Sequence, residues 1–223
     1  GEKIGIVNNT IQECIPEMRS AADNNPNAQL LIRALQFSSG ASWITSNPVP
    51  VEDYGWEDMD ANGLTELGKA FDLLAAQLSI PPMPERALPP VIVLLSDGQP
   101  TDDYKKSMEK LKKLPWFRKA VKIAISIGQD ADDEVLIEFT GNKELVLQAN
   151  NATALAKMIK WASTTASMVS APSSKPMNSV LVSKPAASTP ADDPFAPTNN
   201  GAPLVLDMSN IPSPDDFDEG AVW

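Results

Sequence analysis

The sequence predicts an α/β fold: a three-layer open sheet, mostly parallel, with helices on both faces, followed by a disordered acidic tail. Three observations carry this. Helix-period and strand-period segments alternate along residues 1–170. The later strand segments are short, continuous apolar runs, as in strands buried on both faces of a parallel sheet. The composition then changes near residue 170. Residues 171–223 hold nine of the twenty prolines, many Ser, Thr, Ala and Asn, and seven acidic residues against Lys175 and Lys184. Such a stretch buries too little apolar surface to offset the entropy of ordering it.

In order, Ile4, Val7, Ile11, Cys14, Ile15, Met18 and Ala22 recur at spacings of three and four, predicting a helix over 3–24 that Pro16 should kink or restart. Residues 28–37 and 42–51 read as strands joined through Ser38-Ser39-Gly40. Asn62-Gly63-Leu64-Thr65 opens a helix whose inner face is Leu67, Phe71, Leu74, Ala75 and Leu78. Residues 90–95 form a buried strand that ends in Ser96-Asp97-Gly98. A charged helix over 102–114, a buried strand over 121–128, a short helix over 132–139, a strand over 144–148 and a closing helix over 151–167 complete the alternation. In sheets of this kind ligands bind beyond the carboxyl ends of the strands, which singles out the loop after Leu95.

Composition narrows the chemistry. The 223 residues carry 18 basic and 29 acidic side chains, a net charge of −11, which argues against a nucleic-acid partner. With no histidine and one cysteine, Ser-His-Asp and Cys-His catalysis, Cys/His zinc sites and internal disulfides are excluded. Any metal must be a hard cation held by oxygens. No apolar run approaches the roughly 20 residues that span a bilayer, so no membrane association is expected and the cytoplasm is the default location.

Asp97, at a strand exit and followed by Gly98, is a cation-ligand candidate or the start of a turn; Asp102 and Asp103 read as caps of the helix that follows. The Lys105, Lys106, Lys110, Lys112 and Lys113 cluster, interleaved with Asp103 and Glu109, reads as a solvated face. Ser38-Ser39-Gly40 is a turn, and Cys14 is a packing residue. Trp43, Trp56, Trp116 and Trp161 read as packing residues, with Trp56, in the loop Tyr54-Gly55-Trp56, also a candidate partner contact.

The run Leu94-Leu95-Ser96-Asp97-Gly98-Gln99-Pro100-Thr101-Asp102-Asp103 resembles the corresponding loop of von Willebrand factor A domains, particularly the TerY-like branch associated with tellurium resistance. Asn62-Gly63-Leu64-Thr65-Glu66-Leu67-Gly68-Lys69-Ala70 resembles that family's Gly-Gly-x-Thr-x-Leu-Gly-x-Ala segment, and the likeness covers about residues 1–168. The resemblance implies a protein–protein interaction module with a metal-ion-dependent adhesion site. In it Thr65 and Asp97 are metal ligands, Mg²⁺ is the usual ion, and an Asp or Glu carboxylate of the partner completes the octahedron. Asn62, Gly63, Leu64, Gly98, Gln99 and Trp56 are then partner-facing. It further implies links to tellurite or stress resistance and to signalling by a Ser/Thr kinase and a PP2C-type phosphatase.

The family's Asp-x-Ser-x-Ser loop, which ends its first strand, does not occur in these residues. The expectation is that this strand and loop lie upstream of residue 1, giving a complete site in an intact parent and a crippled one in this chain. In the tail, Asp192-Asp193-Pro194-Phe195, residues 203–211 and the acidic-aromatic end at 214–223 are docking candidates. Asp215, Asp216 or Asp218 could fill a metal's open position, and Ser209 and Ser213 are possible phosphoacceptors. The alternatives are a magnesium-dependent phosphoryl-transfer or hydrolytic enzyme built on Asp97 with Asp102 or Asp103, and a metal-free A-domain scaffold. The enzyme reading lacks a phosphate-cradling Gly-rich loop and a general base, so no enzymatic activity is expected.

Overall fold

The computed structural model describes residues 2–23, 29–61 and 63–169, with side chains to residue 163. The expected tail over 171–223 and Asn62 lie outside the described residues. Helix α1 (Glu2–Asp23) is followed by four short strands, β1 (Leu31–Ile32), β2 (Leu35–Ser38), β3 (Gly40–Trp43) and β4 (Val49–Pro50), then helix α2 (Leu67–Gln77). Strand β5 (Val91–Ser96) leads to α3 (Tyr104–Lys113), α4 (Pro115–Lys119), β6 (Val121–Ile127), α5 (Asp133–Thr140), a 3-10 turn at Lys143–Leu145, β7 (Val146–Ala149) and α6 (Ala152–Val169).

The sheet runs β5-β6-β7, all parallel, with Val93 opposite Ile123 and Ile125 opposite Leu147. Its pleat sorts the side chains into two layers. Ile123, Ile125 and Ile127, with Val93 and Leu95, face a core shared with α1 and α6. Ala124 and Leu94, with Ile92, face a core built by α2, α3, α4 and α5. Ile123, Ala124 and Ile125 are fully buried, each Ile contributing on the order of 1.5–3 kcal/mol of hydrophobic stabilisation. This is the α/β architecture with helices on both faces that the alternating pattern predicts.

The polypeptide over 30–51 is an interrupted antiparallel hairpin: β2 pairs with β3, β1 with β4, and the Ile44 amide bonds the Ala34 carbonyl between them at 2.9 Å. Several boundaries differ from expectation. Pro16 lies inside one 22-residue helix rather than dividing it. The helix expected from Asn62 onward begins at Leu67, because Gly63–Glu66 is held outside the helix by bonds described below. The charged helix ends at Lys113, and Pro115, at the first position of α4, starts a separate five-residue turn of helix that buries Trp116 and Phe117. No helix among the described residues is long and apolar enough to cross a membrane.

Helix α1 also fastens the loop beyond β4. Asn8, 7 % exposed, donates Nδ2 to the Met59 carbonyl at 2.9 Å. Its Oδ1 accepts from the Met59 amide at 3.1 Å and from Trp56 Nε1 at 3.2 Å. Arg19 donates to the carbonyls of Val51 and Tyr54. These bonds satisfy a buried polar side chain and set where residues 51–59 run.

Candidate functional site

The segment from Gly63 to Glu66 crosses the carboxyl ends of β2 and β5 and is bonded to both. On the β2 side, the Glu66 amide donates to the Ser38 carbonyl at 3.0 Å and the Leu64 amide donates to Ser39 Oγ at 3.1 Å. On the β5 side, the Thr65 amide donates to Thr101 Oγ1 at 3.2 Å, and the Thr101 amide returns a bond to the Thr65 carbonyl at 2.9 Å. Thr65 is thereby held by both of its backbone polar groups against the loop that follows Asp97.

Its hydroxyl comes to rest against Gly98. A Cβ added at Gly98 would meet Thr65 Oγ1 at 3.2 Å, so a side chain there would crowd the hydroxyl. Gly63 is constrained more tightly still. Its φ is +91°, and a Cβ would lie 2.5 Å from Ser39 Oγ and 3.2 Å from the Ser39 amide nitrogen. The glycine supplies a backbone conformation and a close approach that no other residue provides. Gly63→Ala is expected to destabilise by more than about 1 kcal/mol and to break the Ser39–Leu64 bond, read as faster amide exchange at Leu64. Wild-type exchange at Leu64 would refute this geometry.

The next residues fix α2. Asp102 accepts from the Gly68 amide (2.9 Å) and the Lys69 amide (3.1 Å), two of the donors that the first turn of α2 leaves unpaired. The expectation that Asp102 caps the following helix is therefore corrected: it caps α2, from 34 residues away in sequence. Asp103 is the residue before α3, with no side-chain capping bond. Gly68 makes this approach possible, because a Cβ there would lie 2.9 Å from Asp102 Oδ2 and 3.0 Å from the Tyr104 Cα.

The predicted residues fall in three groups. Thr65 and Asp97 lie in segments at one end of the sheet, the Thr65 hydroxyl against Gly98, the residue after Asp97, and Gly63 and Gln99 are exposed. Leu64 is 57 % exposed, an apolar side chain on the rim of an otherwise polar surface. Trp56 is half-buried, packed on the α1–α6 core with its indole N–H given to Asn8. Ser39, Thr101, Asp102 and Lys3 complete the arrangement. Lys3, in the first turn of α1, lies with Nζ 3.9 Å from Asp97 Oδ2, and 59 % of the Asp97 side chain remains exposed.

The donor set can be compared with what a cation needs. Thr65 and Asp97 offer a hydroxyl and a carboxylate, the oxygen type that Mg²⁺ prefers. The other hydroxyls nearby have structural duties: Thr101 Oγ1 accepts from Thr65, and Ser96 Oγ donates to the Gly98 carbonyl at 3.2 Å. Among the described residues no group of three or more acidic or thiol side chains could hold a metal. The donors fit a hard cation in kind but fall well short of six ligands in number. Elsewhere, the Cys14 thiol is buried and pushed up in pKa, mainly by burial and then by Glu17, which keeps it protonated and unreactive.

No family model and no curated protein matches the sequence. Solved structures do. Proximal thread matrix protein 1 from the mussel byssus, with a zinc-occupied MIDAS motif, superposes with a TM-score of 0.53 at 17 % identity, covering 72 % of this chain and 42 % of that one. The ArnB paralog VWA2 from Sulfolobus acidocaldarius gives 0.51 at 16 % identity over 72 % and 40 % of the two chains. A von Willebrand factor type A protein from Catenulispora acidiphila gives 0.52 at 12 % identity over 74 % and 39 %. The chain spans about two fifths of the length of these structures. Joined to the parallel β5-β6-β7 sheet between two helical layers, these superpositions identify the fold as that of von Willebrand factor A domains.

Proposed function

We propose that this chain is a non-enzymatic protein-interaction module that engages an Asp or Glu carboxylate of its partner through a divalent cation at Thr65 and Asp97. One observation supports the reading: the Thr65 amide donates to Thr101 Oγ1 and the Thr101 amide to the Thr65 carbonyl, which fixes Thr65, its hydroxyl against Gly98, beside the loop that carries the exposed Asp97 carboxylate. Exposed Leu64 supplies an apolar contact on the rim, where a partner's side chain would exclude water from the polar centre. The oxygen-only donors favour Mg²⁺ over softer ions. The motif resemblance adds the finer context of a TerY-like protein of the cytoplasm, tied to tellurite or stress resistance and to a kinase and a PP2C-type phosphatase.

A second reading has its own observation. The Lys3 ammonium beside Asp97 supplies a tethered positive charge where a cation would otherwise neutralise the carboxylate. On that reading the domain is a metal-free scaffold. Calorimetric Mg²⁺ titration separates the two. The interaction-module reading predicts weak, millimolar-range binding on the order of 4 kcal/mol, abolished by Asp97→Ala. It also predicts tighter binding in Lys3→Ala, because a competing charge has been removed. Partner capture should fail in EDTA and in Asp97→Ala alike. Capture that is indifferent to EDTA, with no Mg²⁺ heat even in Lys3→Ala, would leave the scaffold reading standing.

A further inference from the structure

The parallel sheet separates two surfaces of opposite charge. Residues 104–119, which build α3 and α4, carry seven of the chain's 18 basic side chains and one acidic side chain, Glu109. Residues 51–61, beyond β4, carry five acidic side chains and no basic one. Met108, Leu111, Trp116 and Phe117 pack the basic segment on the core that Ala124 faces. Val51, Tyr54, Trp56 and Met59 pack the acidic segment on the core of Ile123 and Ile125. Successive residues of β6 point to opposite faces of the sheet, so the two segments lie on opposite sides of it.

Each surface keeps most of its charge unneutralised. On α3, Lys110 pairs with Asp72 of α2 and Lys112 with Glu138 of α5, each at 2.7 Å. Lys105, Lys106 and Lys113 of α3 and Arg118 of α4 are exposed and form no ion pair among the described residues. On the other side Glu52, Asp53, Glu57, Asp58 and Asp60 are exposed and likewise form no ion pair among them. Asp58 only accepts a hydrogen bond from Gln12, at 2.8 Å. Both surfaces rest on fixed backbone. Buried Ser107, Met108 and Leu111 seat α3 in the core, and Asn8 and Arg19 bind the main chain of residues 51–59. Charges held in place before contact lose little entropy when a partner covers them.

We propose that this domain associates with further copies of itself, the α3–α4 surface of one copy docking on the 52–60 surface of the next. The two patches differ and lie on opposite sides, so the contact is heterologous. Each added copy leaves one basic and one acidic face open, and the assembly grows head to tail. Like faces repel, which sets the orientation. Helix α3 is about 15 Å long, and patches of that extent suit a weak, transient contact rather than an obligate one. The net charge of −11 opposes approach at long range. At about 0.1 M salt a Debye length of about 10 Å screens that repulsion, while charges in contact still attract. At about 1 M the length falls to about 3 Å and the attraction is lost as well. Neither Thr65 nor Asp97 takes part, so the association is independent of any cation there.

Sedimentation velocity on the full 223-residue chain in EDTA tests this. At about 0.1 M salt the mean mass should rise with concentration past that of a dimer, and at about 1 M the chain should be monomeric. Two triple variants, Lys105→Gln/Lys106→Gln/Lys113→Gln and Asp53→Asn/Glu57→Gln/Asp60→Asn, should each weaken association about tenfold or more. Their unfolding midpoints should match the wild type, because all six positions are exposed. Mixed together, the two variants should form a one-to-one dimer that grows no further, one intact basic face meeting one intact acidic face. In an NMR dilution series of the wild type, amide shifts should move over residues 52–60 and 104–113 and stay fixed over 63–66. A monomer at every concentration would overturn the proposal, as would association that survives about 1 M salt or either triple variant. A wild-type assembly that stops at the dimer, or variants that fail to pair on mixing, would overturn the head-to-tail contact.

Discussion

Phe139→Ala is expected to lower the free energy of unfolding by about 3–5 kcal/mol, measured by urea or guanidinium denaturation. Phe139 is 1 % exposed. Its ring stacks on Phe71 of α2 at a centroid distance of 5.7 Å and meets Phe117 of α4 edge-on at 5.8 Å. Truncation removes both contacts and leaves a void that three separate helices would have to collapse around. Surrounding elements of fixed length relax only partly, so the cost includes the cavity as well as the lost transfer energy. Against a domain stability of roughly 5–15 kcal/mol, that is a fifth or more of the total. Phe139→Leu should cost much less. A change below about 1 kcal/mol for the alanine variant would show that α2, α4 and α5 do not share this aromatic junction in solution.

Asp102→Ala is expected to cost about 2 kcal/mol, combining the loss of a cap that serves two amides with the loss of a negative charge at the positive end of a helix. The effect should reach the site as well. Asp102 follows Thr101, whose hydroxyl and amide hold Thr65, and it ties that loop to the first turn of α2. Exchange should therefore quicken at Gly68 and Lys69, and metal-dependent partner capture should weaken even though Asp102 is not among the proposed cation ligands. Asp102→Asn retains one oxygen acceptor and should fall between wild type and alanine. Unchanged stability with unchanged exchange at Gly68 would refute the capping role.

The contrast between these two residues shows what a sequence can carry. Phe71 was readable as an inward position because it recurs with Leu67, Leu74 and Leu78 on one helical face, and β5 because five consecutive apolar residues end in Ser-Asp-Gly. Those signals are local, arising from periods of 3.6 and 2 that the backbone imposes. The role of Asp102 is not local. Its position before a helix suggests a cap for that helix, yet its oxygens serve amides 33 and 34 residues earlier. Helix α4 was missed for a related reason: Trp116 and Phe117 are buried, but five residues are too few to display a helical period. Trp56 could be placed in a loop, whereas its hydrogen bond to Asn8, 48 residues away, could not.

By itself, the sequence determined the α/β class, the order of the main elements and the oxygen-only chemistry that follows from having no histidine; the pairing of Thr65 with Asp97 came from the motif resemblance. The tertiary structure alone decided how that pair is held. Ser38 and Ser39 are distant in the chain from Thr101 and Asp102, and only the run of Gly63–Glu66 past the ends of β2 and β5 brings their donors and acceptors within bonding reach. It also decided that β5 keeps one edge unpaired among the described residues and that Lys3 stands beside Asp97. The physical reason is the same throughout. Periodicity fixes which face of an element is apolar, but the hydrogen bonds and charges that make a site depend on which elements become neighbours.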